Sequence, residues 1–466
     1  MSARTATPRA ERMTARAWGL LLVLSGAIFL EGIDVSMMGV ALPSIRAELG
    51  MSTSSLQWVV SAYVLGYGGF VLLGGRAADL LGRRRMFLVW LVVFVAFSGL
   101  GGFAEDGWVL ILARFVTGVA AAFLAPAGLS IITTMFAEGP VRNRAVLVYA
   151  GAAAGGFSLG MLTGGLLTAI GWRWVFFAPV VVAAAILIAA IVLIPREERR
   201  ERTAGGFDIP GTLTLTGAML LLVITVVHAP EVAIGTTLVT LAGAAVLFAA
   251  FVRIERRSAA PLVRLGILRS APLLRANAGA MLLVGAFMAF QLVAVLYMQE
   301  LRGWSTVQTG LALAVAGIDA VLAPTLTPVL VNRFGNRRVL TAGMVLAVLA
   351  YLLFLPVGAA WSFWAMLPAF LVLGLAFTLA YGPLTIAATD GVADEEQGLA
   401  SGLLTTSFQF GAALGLAIVT AVIVAATADA SPEAVLEGYR AGLLVPVGAA
   451  AIGALLMVTG LRRTGR

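Results

Sequence analysis

Cysteine and lysine are both missing from this 466-residue chain, and histidine occurs once, at position 228. Without cysteine there is no disulfide and no thiolate metal site. Without lysine there is no Schiff-base nucleophile and no P-loop lysine, which argues against an ATP-driven pump. A single histidine excludes a histidine metal cluster, so we predict no metal and no cofactor. Charge is also scarce, with 12% of residues charged and 61% hydrophobic, a balance typical of an integral membrane protein.

Apolar runs recur along the whole chain, and each has about the 20 residues that a helix needs to cross about 30 Å of hydrocarbon. We count fourteen of them, from 17–40 at the start to 441–461 at the end. The runs are too long for the strands of an outer-membrane barrel and lack alternation of period two. The sequence therefore predicts an all-α integral membrane fold with fourteen transmembrane helices.

Arginine placement predicts the orientation of these helices. If the N-terminus is cytoplasmic, 26 of the 31 arginines fall in cytoplasmic segments, as the positive-inside rule requires. The net charge of +8 is then a signal of topology, and we predict no nucleic-acid partner. We expect a multi-pass protein of the cytoplasmic membrane with both termini inside and an uncleaved first helix. The exclusive use of arginine and the abundance of alanine and glycine indicate a bacterial source.

Two loops are similar to each other, which indicates an internal repeat. "GGRAADLLGRRRMFL" (74–88) aligns with "PVLVNRFGNRRVL" (328–340) when Gly82 is placed on Gly335, an offset of 253. Two parallel six-helix halves, with two helices inserted between them, would produce this repeat. The predicted division is as follows: N-terminal tail 1–16, first half 17–194, linker 195–208, inserted helices 209–252, linker 253–275, second half 276–461 and C-terminal tail 462–466.

Several motifs along the chain resemble those of one transporter family. The loop 74–88 resembles the signature of the major facilitator superfamily. "ILARFVTGVAAAFLAPAG" (111–128) resembles its fourth-helix motif, and "GGFSLGMLTGGLL" (155–167) resembles the fifth-helix motif of its drug exporters. "IDVSMMGVALPSI" (33–45) resembles the first-helix motif of its fourteen-helix drug:proton antiporters. The resemblance covers essentially the whole chain and implies the major facilitator fold.

The resemblance implies roles for two groups of residues. In the first loop it implies a latch between the two halves, formed by Gly75, Asp79, Gly82, Arg83 and Arg84. A positive-inside anchor is the alternative, but it leaves the embedded aspartate without a role. In the fifth helix it implies a close helix contact through Gly156, Gly160, Gly164 and Gly165, for which ordinary small-residue packing is the alternative. The family usually has proline where this chain has Met161, which weakens the inference of antiport from this motif.

Two acids interrupt the first apolar run, where an ionised acid costs roughly 2.5 kcal/mol or more. Glu31 and Asp34 are three residues apart and so share a helix face. Asp34 and Arg114, in the fourth run, lie at similar depths, so we expect them at one level. Burial favours the neutral form of such an acid and an arginine the ionised form. We therefore predict proton coupling by Asp34, Glu31 and Arg114, with cavity polarity or cation selection as the alternative role of Glu31.

Other polar residues lie inside apolar runs and are candidates for the lining of a cavity. They are Asp319, Gln57, Trp58, Tyr63, Gln291 and Gln409. Asp319 is a second proton or substrate site in one interpretation and half of a structural polar pair in the other. The remaining residues either line the cavity or satisfy hydrogen bonds between helices.

We expect a proton-coupled secondary transporter that exports amphipathic, cationic compounds by antiport. The predicted partners are protons, a small-molecule substrate and the lipid bilayer. A dedicated exporter of one metabolite, antibiotic or lipid stays open as an alternative. A membrane-embedded enzyme is disfavoured because the acids are scattered, and a sensor because no loop can hold an output domain.

Overall fold

The computed structural model describes residues 13–136, 140–196, 208–229, 232–258, 261, 266–267, 270–390, 392 and 397–462. Regular structure in these residues is helical throughout, as predicted. In chain order the helices are α1 (Ala15–Leu49), α2 (Thr53–Leu81), α3 (Arg83–Gly102), α4 (Gly107–Met135), α5 (Pro140–Ile170), α6 (Trp174–Leu193), α7 (Ile209–His228), α8 (Ile234–Glu255), α9 (Ala271–Leu296), α10 (Thr306–Ala314), α11 (Asp319–Phe334), α12 (Asn336–Phe354), α13 (Phe363–Thr389), α14 (Gln397–Ala426) and α15 (Pro432–Arg462).

Thirteen helical stretches in the described chain are long and apolar enough to cross a membrane. The fourteenth predicted span is α2, whose 29 residues extend over about 43 Å. It packs against α4 and α14. The fold class predicted from the sequence is confirmed.

The helices depart from the predicted span boundaries in several places; α15, for example, begins at Pro432, nine residues before the predicted span 441–461. The first span, predicted at 17–40, continues to Leu49, because Leu42 and Ile45 are buried in the core and stabilise another two turns. Gly50 ends this helix with a left-handed backbone at φ 63°. The tenth span, predicted as one helix over 307–330, is instead interrupted by a 3-10 turn at Ala316–Ile318, between α10 and α11.

The helices form two six-span halves, α1–α6 and α9–α15, with α10 and α11 together making one span. α7 and α8 pack on each other, and α7 also contacts α2 and α14. We call the end of the bundle at which α1 begins the near end, and the opposite end the far end.

The repeat seen in the two loops is also present in the backbone. Gly82 connects α2 to α3 with φ 96° and ψ 128°, and Gly335 connects α11 to α12 with φ 84° and ψ 147°. Side-chain-bearing residues rarely adopt this conformation, so both positions require glycine. The aligned glycines make the same turn in both halves.

The apolar core is divided along the membrane normal. One cluster of buried residues joins both halves at the far end, with Met37 to Ile45 of α1 packed alongside Leu283 to Met298 of the second half. A second cluster, towards the near end, contains residues of α1–α6 only. The halves therefore share a continuous core at the far end. Towards the near end the first cluster continues only through the second half, with Leu273, Leu340 and Leu384 for example, and the second cluster belongs to the first half.

Candidate functional site

The centre of the first half contains a buried ion pair between Asp34 of α1 and Arg114 of α4. Arg114 Nη1 donates to Asp34 Oδ2 at 2.5 Å, and the two side chains are 1% and 0% exposed. The residues lie at one level, as their depths predicted. Because both charges are enclosed, each depends on the other for compensation.

α2 completes the surroundings of this pair. Arg114 Nε donates to the Val59 carbonyl at 3.1 Å, and the guanidinium carbon lies 4.5 Å from the centroid of the Tyr63 ring. Gly118 brings α2 and α4 together, since a Cβ there would lie 2.1 Å from the Tyr63 carbonyl oxygen. This close approach explains the glycine one turn after the arginine. Oδ1 of Asp34 and Nη2 of Arg114 have no protein partner in the described chain.

Glu31 lies one turn before Asp34 in a different environment. Its side chain is half-buried, and Tyr67 lies near its carboxylate. The carboxylate is also close enough to Tyr149 and Tyr381 to act on them electrostatically. The two acids share a helix face, but Asp34 is fully buried whereas Glu31 is only partly buried.

Gly156, Gly160 and Gly164 face α1. A Cβ at these positions would lie 2.2 Å from the Phe29 carbonyl oxygen, 2.0 Å from the Ser36 hydroxyl and 2.7 Å from the Met37 Cα, respectively. The stripe therefore sets the separation of α1 and α5 directly, beside both acids.

Gly165 belongs to a different contact from the rest of the predicted motif. A Cβ there would lie 2.6 Å from the carbonyl oxygen of Thr306 in the second half, and the Thr306 hydroxyl donates to the Gly165 carbonyl at 3.1 Å. Met161, in place of the usual proline, lies in an uninterrupted helix, and its carbonyl oxygen faces Gly310 of α10. α5 thus touches both its own half and the other one.

The predicted latch lies at the near end. Arg84 donates to the carbonyls of Ile194 and Ile191 at 2.9 and 3.0 Å, and so caps the end of α6 within its own half. Gly75 lies inside α2 near Pro126, and Arg83 begins α3. The side chain of Asp79 is outside the described residues, so the latch stays a prediction.

The predicted cavity residues occupy three different places. Gln57, Trp58 and Tyr63 lie on α2. Tyr63 belongs to the cluster that joins both halves, Trp58 packs against that cluster, and Gln57 accepts a hydrogen bond from Ser61 at 2.8 Å. Gln291 is buried against Gly39, and Gln409 packs against Gly68, so both glutamines lie between the halves. Asp319 is half-buried at the first residue of α11, after the 3-10 turn.

Sequence reasoning missed a set of aromatic rings between the halves. Phe157 of α5 contacts Phe287 of α9, which contacts Phe377 of α13, with ring centroids 5.8 and 4.8 Å apart. One turn further along α13, Tyr381 is 48% exposed and stacks on Phe408 at 4.8 Å. The sequence carries no distinct signal for these rings, because phenylalanine is common in every apolar run.

Two glycines of the second half were also missed, although the repeat points to them. Gly411 and Gly415 of α14 lie against α9, where added Cβ atoms would come 2.1 Å from the carbonyl oxygens of Met281 and Gly285. They correspond to Gly156 and Gly160 at an offset of 255. The fifth helix of each half therefore packs on the first helix in the same way.

Comparison with known proteins agrees with this geometry. Residues 24–416 match the Major Facilitator Superfamily. The chain is 35% identical to the puromycin resistance protein of Streptomyces alboniger, over 95% of this chain and 90% of that protein. It is also 35% identical to a cephamycin export protein of Amycolatopsis lactamdurans, over 90% of this chain and 88% of that protein.

A solved structure shows the same fold. It is a bacterial homologue of the human lysosomal transporter Spinster in an inward-facing and occupied conformation, with a TM-score of 0.70 and 18% identity, covering 97% of this chain and 98% of that chain. Fold, motifs and relatives agree along the length of the chain. The chain therefore belongs to the major facilitator superfamily, a family of transporters and not of enzymes, and is a multi-pass protein of a bacterial membrane.

Proposed function

We propose that the protein exports amphipathic, cationic small molecules across the cytoplasmic membrane in exchange for protons. The observation that carries this proposal is the enclosed Asp34–Arg114 pair, with Glu31 one turn away. Relatives named for resistance to, or export of, an antibiotic support the direction of transport. We also retain the predicted orientation, in which both termini and the near end are cytoplasmic.

The division of the core suits this orientation. The halves share a continuous core at the far end, whereas towards the near end the buried residues of the first half form a cluster separate from those of the second half. With the near end in the cytoplasm, this conformation is closed towards the outside and receives substrate from the inside.

The two acids have separate tasks in the proposed cycle. Glu31 has access to the space between the halves and attracts the positive charge of the substrate. Asp34 is the proton carrier: when it is ionised, it holds Arg114, and when it takes up a proton, the guanidinium keeps only the Val59 carbonyl and the Tyr63 ring. α1 is then freed from α4, which couples the proton to movement of the helix that also carries Glu31.

The substrate lies between the halves in this proposal. Glu31 approaches it from α1 and Asp319 from α11, on either side of Tyr381. The exposed Tyr381 ring, backed by Phe408, offers a flat surface to an aromatic group. Gln409 and Gln291 supply hydrogen bonds at the same interface. Gly75, Asp79, Gly82, Arg83 and Arg84 retain their proposed role as a latch at the near end.

We propose the same domain division that the sequence predicts. α7 and α8 are an insertion, because the helices on either side form complete halves without them. α7 lies against α2 of one half and α14 of the other, so it covers a side of the bundle where the halves meet.

Efflux of a fluorescent lipophilic cation tests the proposal. Cells without their own pumps would carry the wild type, Asp34→Asn or the control Asp106→Asn, which changes an exposed acid whose side chain does not cap α4. We expect a protonophore to abolish wild-type efflux, Asp34→Asn to abolish it without a protonophore, and Asp106→Asn to retain it. Efflux that never exceeds empty-vector cells would contradict multidrug export.

A dedicated exporter of one compound is the second candidate. The observation that favours it is that relatives are named for single compounds, puromycin and cephamycin. Growth of the same cells on a panel of chemically unrelated antibiotics separates the two candidates. Protection against one compound supports dedicated export, and protection against several supports multidrug export.

A further inference from the structure

An ion pair joins the two halves at the far end of the bundle. Arg46, in the last turn of α1, donates from Nη1 to both carboxylate oxygens of Glu300, at 2.9 and 3.0 Å. Glu300 belongs to the other half, where a π-helical turn (Tyr297–Leu301) continues α9. The two side chains are 35% and 28% exposed, so the pair is reachable by water but partly covered.

Neighbouring contacts hold both sides of this pair in position. The Tyr439 hydroxyl of α15 donates to Glu300 at 3.3 Å, within the second half. Gln299, the preceding residue, donates to the Val40 carbonyl of α1 at 3.0 Å. The π turn thus directs two consecutive side chains at α1, and such turns recur at functional sites.

Two other ion pairs at the far end do not cross between halves. Glu48 pairs with Arg173 inside the first half, and Glu437 pairs with Arg440 inside α15. Of the three far-end pairs in the described chain, Arg46–Glu300 is the one whose partners must separate when the halves separate. The pair lines an open pocket together with Pro43 and Met51, and Leu42, one turn before Arg46 on α1, lines a small cavity between the halves.

We propose that Arg46–Glu300 is a reversible latch that keeps the far end closed until the halves rock apart. A partly hydrated ion pair is weak enough to break in every cycle, unlike an enclosed one. The latch goes beyond the proposed function: it requires that the far end opens and does not depend on proton coupling or on the charge of the substrate.

Cysteine labelling measures the closure of the far end directly. The chain has no cysteine, so Leu42→Cys would place a single thiol at a position that is 2% exposed in the closed state. A membrane-impermeant maleimide, applied to cells from outside, reacts faster when the far end opens. The labelling rate is compared for Glu300→Gln, Arg46→Glu, the charge-swapped double variant Arg46→Glu/Glu300→Arg, and the control Glu437→Gln, which breaks a pair within one half.

We expect Glu300→Gln to raise the labelling rate about twofold to fivefold, the range that a weak ion pair supports. Arg46→Glu should raise it further because two carboxylates then face each other. The charge swap should return the rate towards that of the wild type, and Glu437→Gln should leave it unchanged. Melting temperatures in detergent would show that all variants are folded.

Equal labelling of Glu300→Gln and Glu437→Gln would overturn the latch, as would a charge swap that labels as fast as Arg46→Glu. These results are separable from those for proton coupling. Faster labelling in a protein that transports no cation supports the latch and not the proposed substrate. Unchanged labelling in a protein with proton-dependent efflux supports the proposed function and argues against the latch.

Discussion

Neutralising Asp34 should destabilise the protein as well as abolish transport. In Asp34→Asn the Arg114 guanidinium stays buried, with the Val59 carbonyl and the Tyr63 ring as its remaining partners. Breaking a buried ion pair costs about 3–5 kcal/mol, and the asparagine amide oxygen recovers about 1 kcal/mol as a hydrogen bond. We therefore expect the free energy of unfolding to fall by about 2–4 kcal/mol.

A double variant separates stability from transport. Asp34→Asn/Arg114→Gln removes both charges, so no uncompensated ion stays buried, and most of the lost stability should return. Transport should not return, because no group at this site then carries a proton. Arg114→Gln alone leaves a buried carboxylate and should be about as unstable as Asp34→Asn.

Denaturant unfolding in detergent would give the stabilities, and cation uptake into proteoliposomes would give transport. Additive losses in the double variant would mean that the two charges do not depend on each other. Proton-driven transport by the double variant would refute the assignment of proton coupling to this pair.

Three further predictions concern packing, capping and substrate contact. Gly160→Ala should lower the free energy of unfolding in detergent by about 1–3 kcal/mol, because its Cβ would lie 2.0 Å from Ser36 Oγ. The control Gly155→Ala lies on the same helix with open space around it and should leave the stability unchanged. Arg84→Gln should lower the melting temperature by removing hydrogen bonds to the end of α6, and equal melting of the variant and the wild type would argue against the cap. Tyr381→Leu should weaken binding of a planar aromatic cation about twofold to tenfold by loss of ring stacking, whereas Tyr381→Phe should not. Equal binding of that cation by both variants, measured by fluorescence titration, would contradict the stacking surface.

The sequence predicts the parts of the fold that repeat or are long and apolar. The length of an apolar run and the positions of arginines can be read from the sequence without knowledge of any contact between helices. The pairing of Gly82 with Gly335 predicted the two halves because a positive φ demands glycine at both positions. Arg114 and Asp34 were placed at one level because depth follows from helical rise alone.

Rotation about helix axes is what the sequence leaves undetermined. Gly164 and Gly165 are adjacent in the sequence, yet one faces α1 and the other faces α10, because successive residues of a helix point about 100° apart. The position of each face depends on neighbours that are more than a hundred residues away. The 3-10 turn before Asp319 was missed because the run 307–330 is apolar throughout, and a glycine such as Gly317 also occurs inside unbroken helices of this chain, for example in α5.

Apart from Asp34 and Arg114, long-range polar contacts could not be predicted. Arg46 and Glu300 are separated by 254 positions, and nothing in either local sequence marks the other as a partner. Similarly, the local sequence places Arg84 in a charged loop. Its hydrogen bonds to the last carbonyls of α6 depend on where that helix ends, which the local sequence does not show.

Proton-coupled export by antiport is tested most directly in proteoliposomes that contain the purified protein. A pH gradient, acidic inside, is imposed, and uptake of a fluorescent lipophilic cation is followed for the wild type and Asp34→Asn. We predict that the wild type accumulates the cation against its gradient and loses it when a protonophore collapses the pH difference, and that Asp34→Asn only equilibrates. Accumulation by Asp34→Asn equal to that of the wild type, or wild-type accumulation that is indifferent to the pH gradient, would contradict proton antiport through this residue.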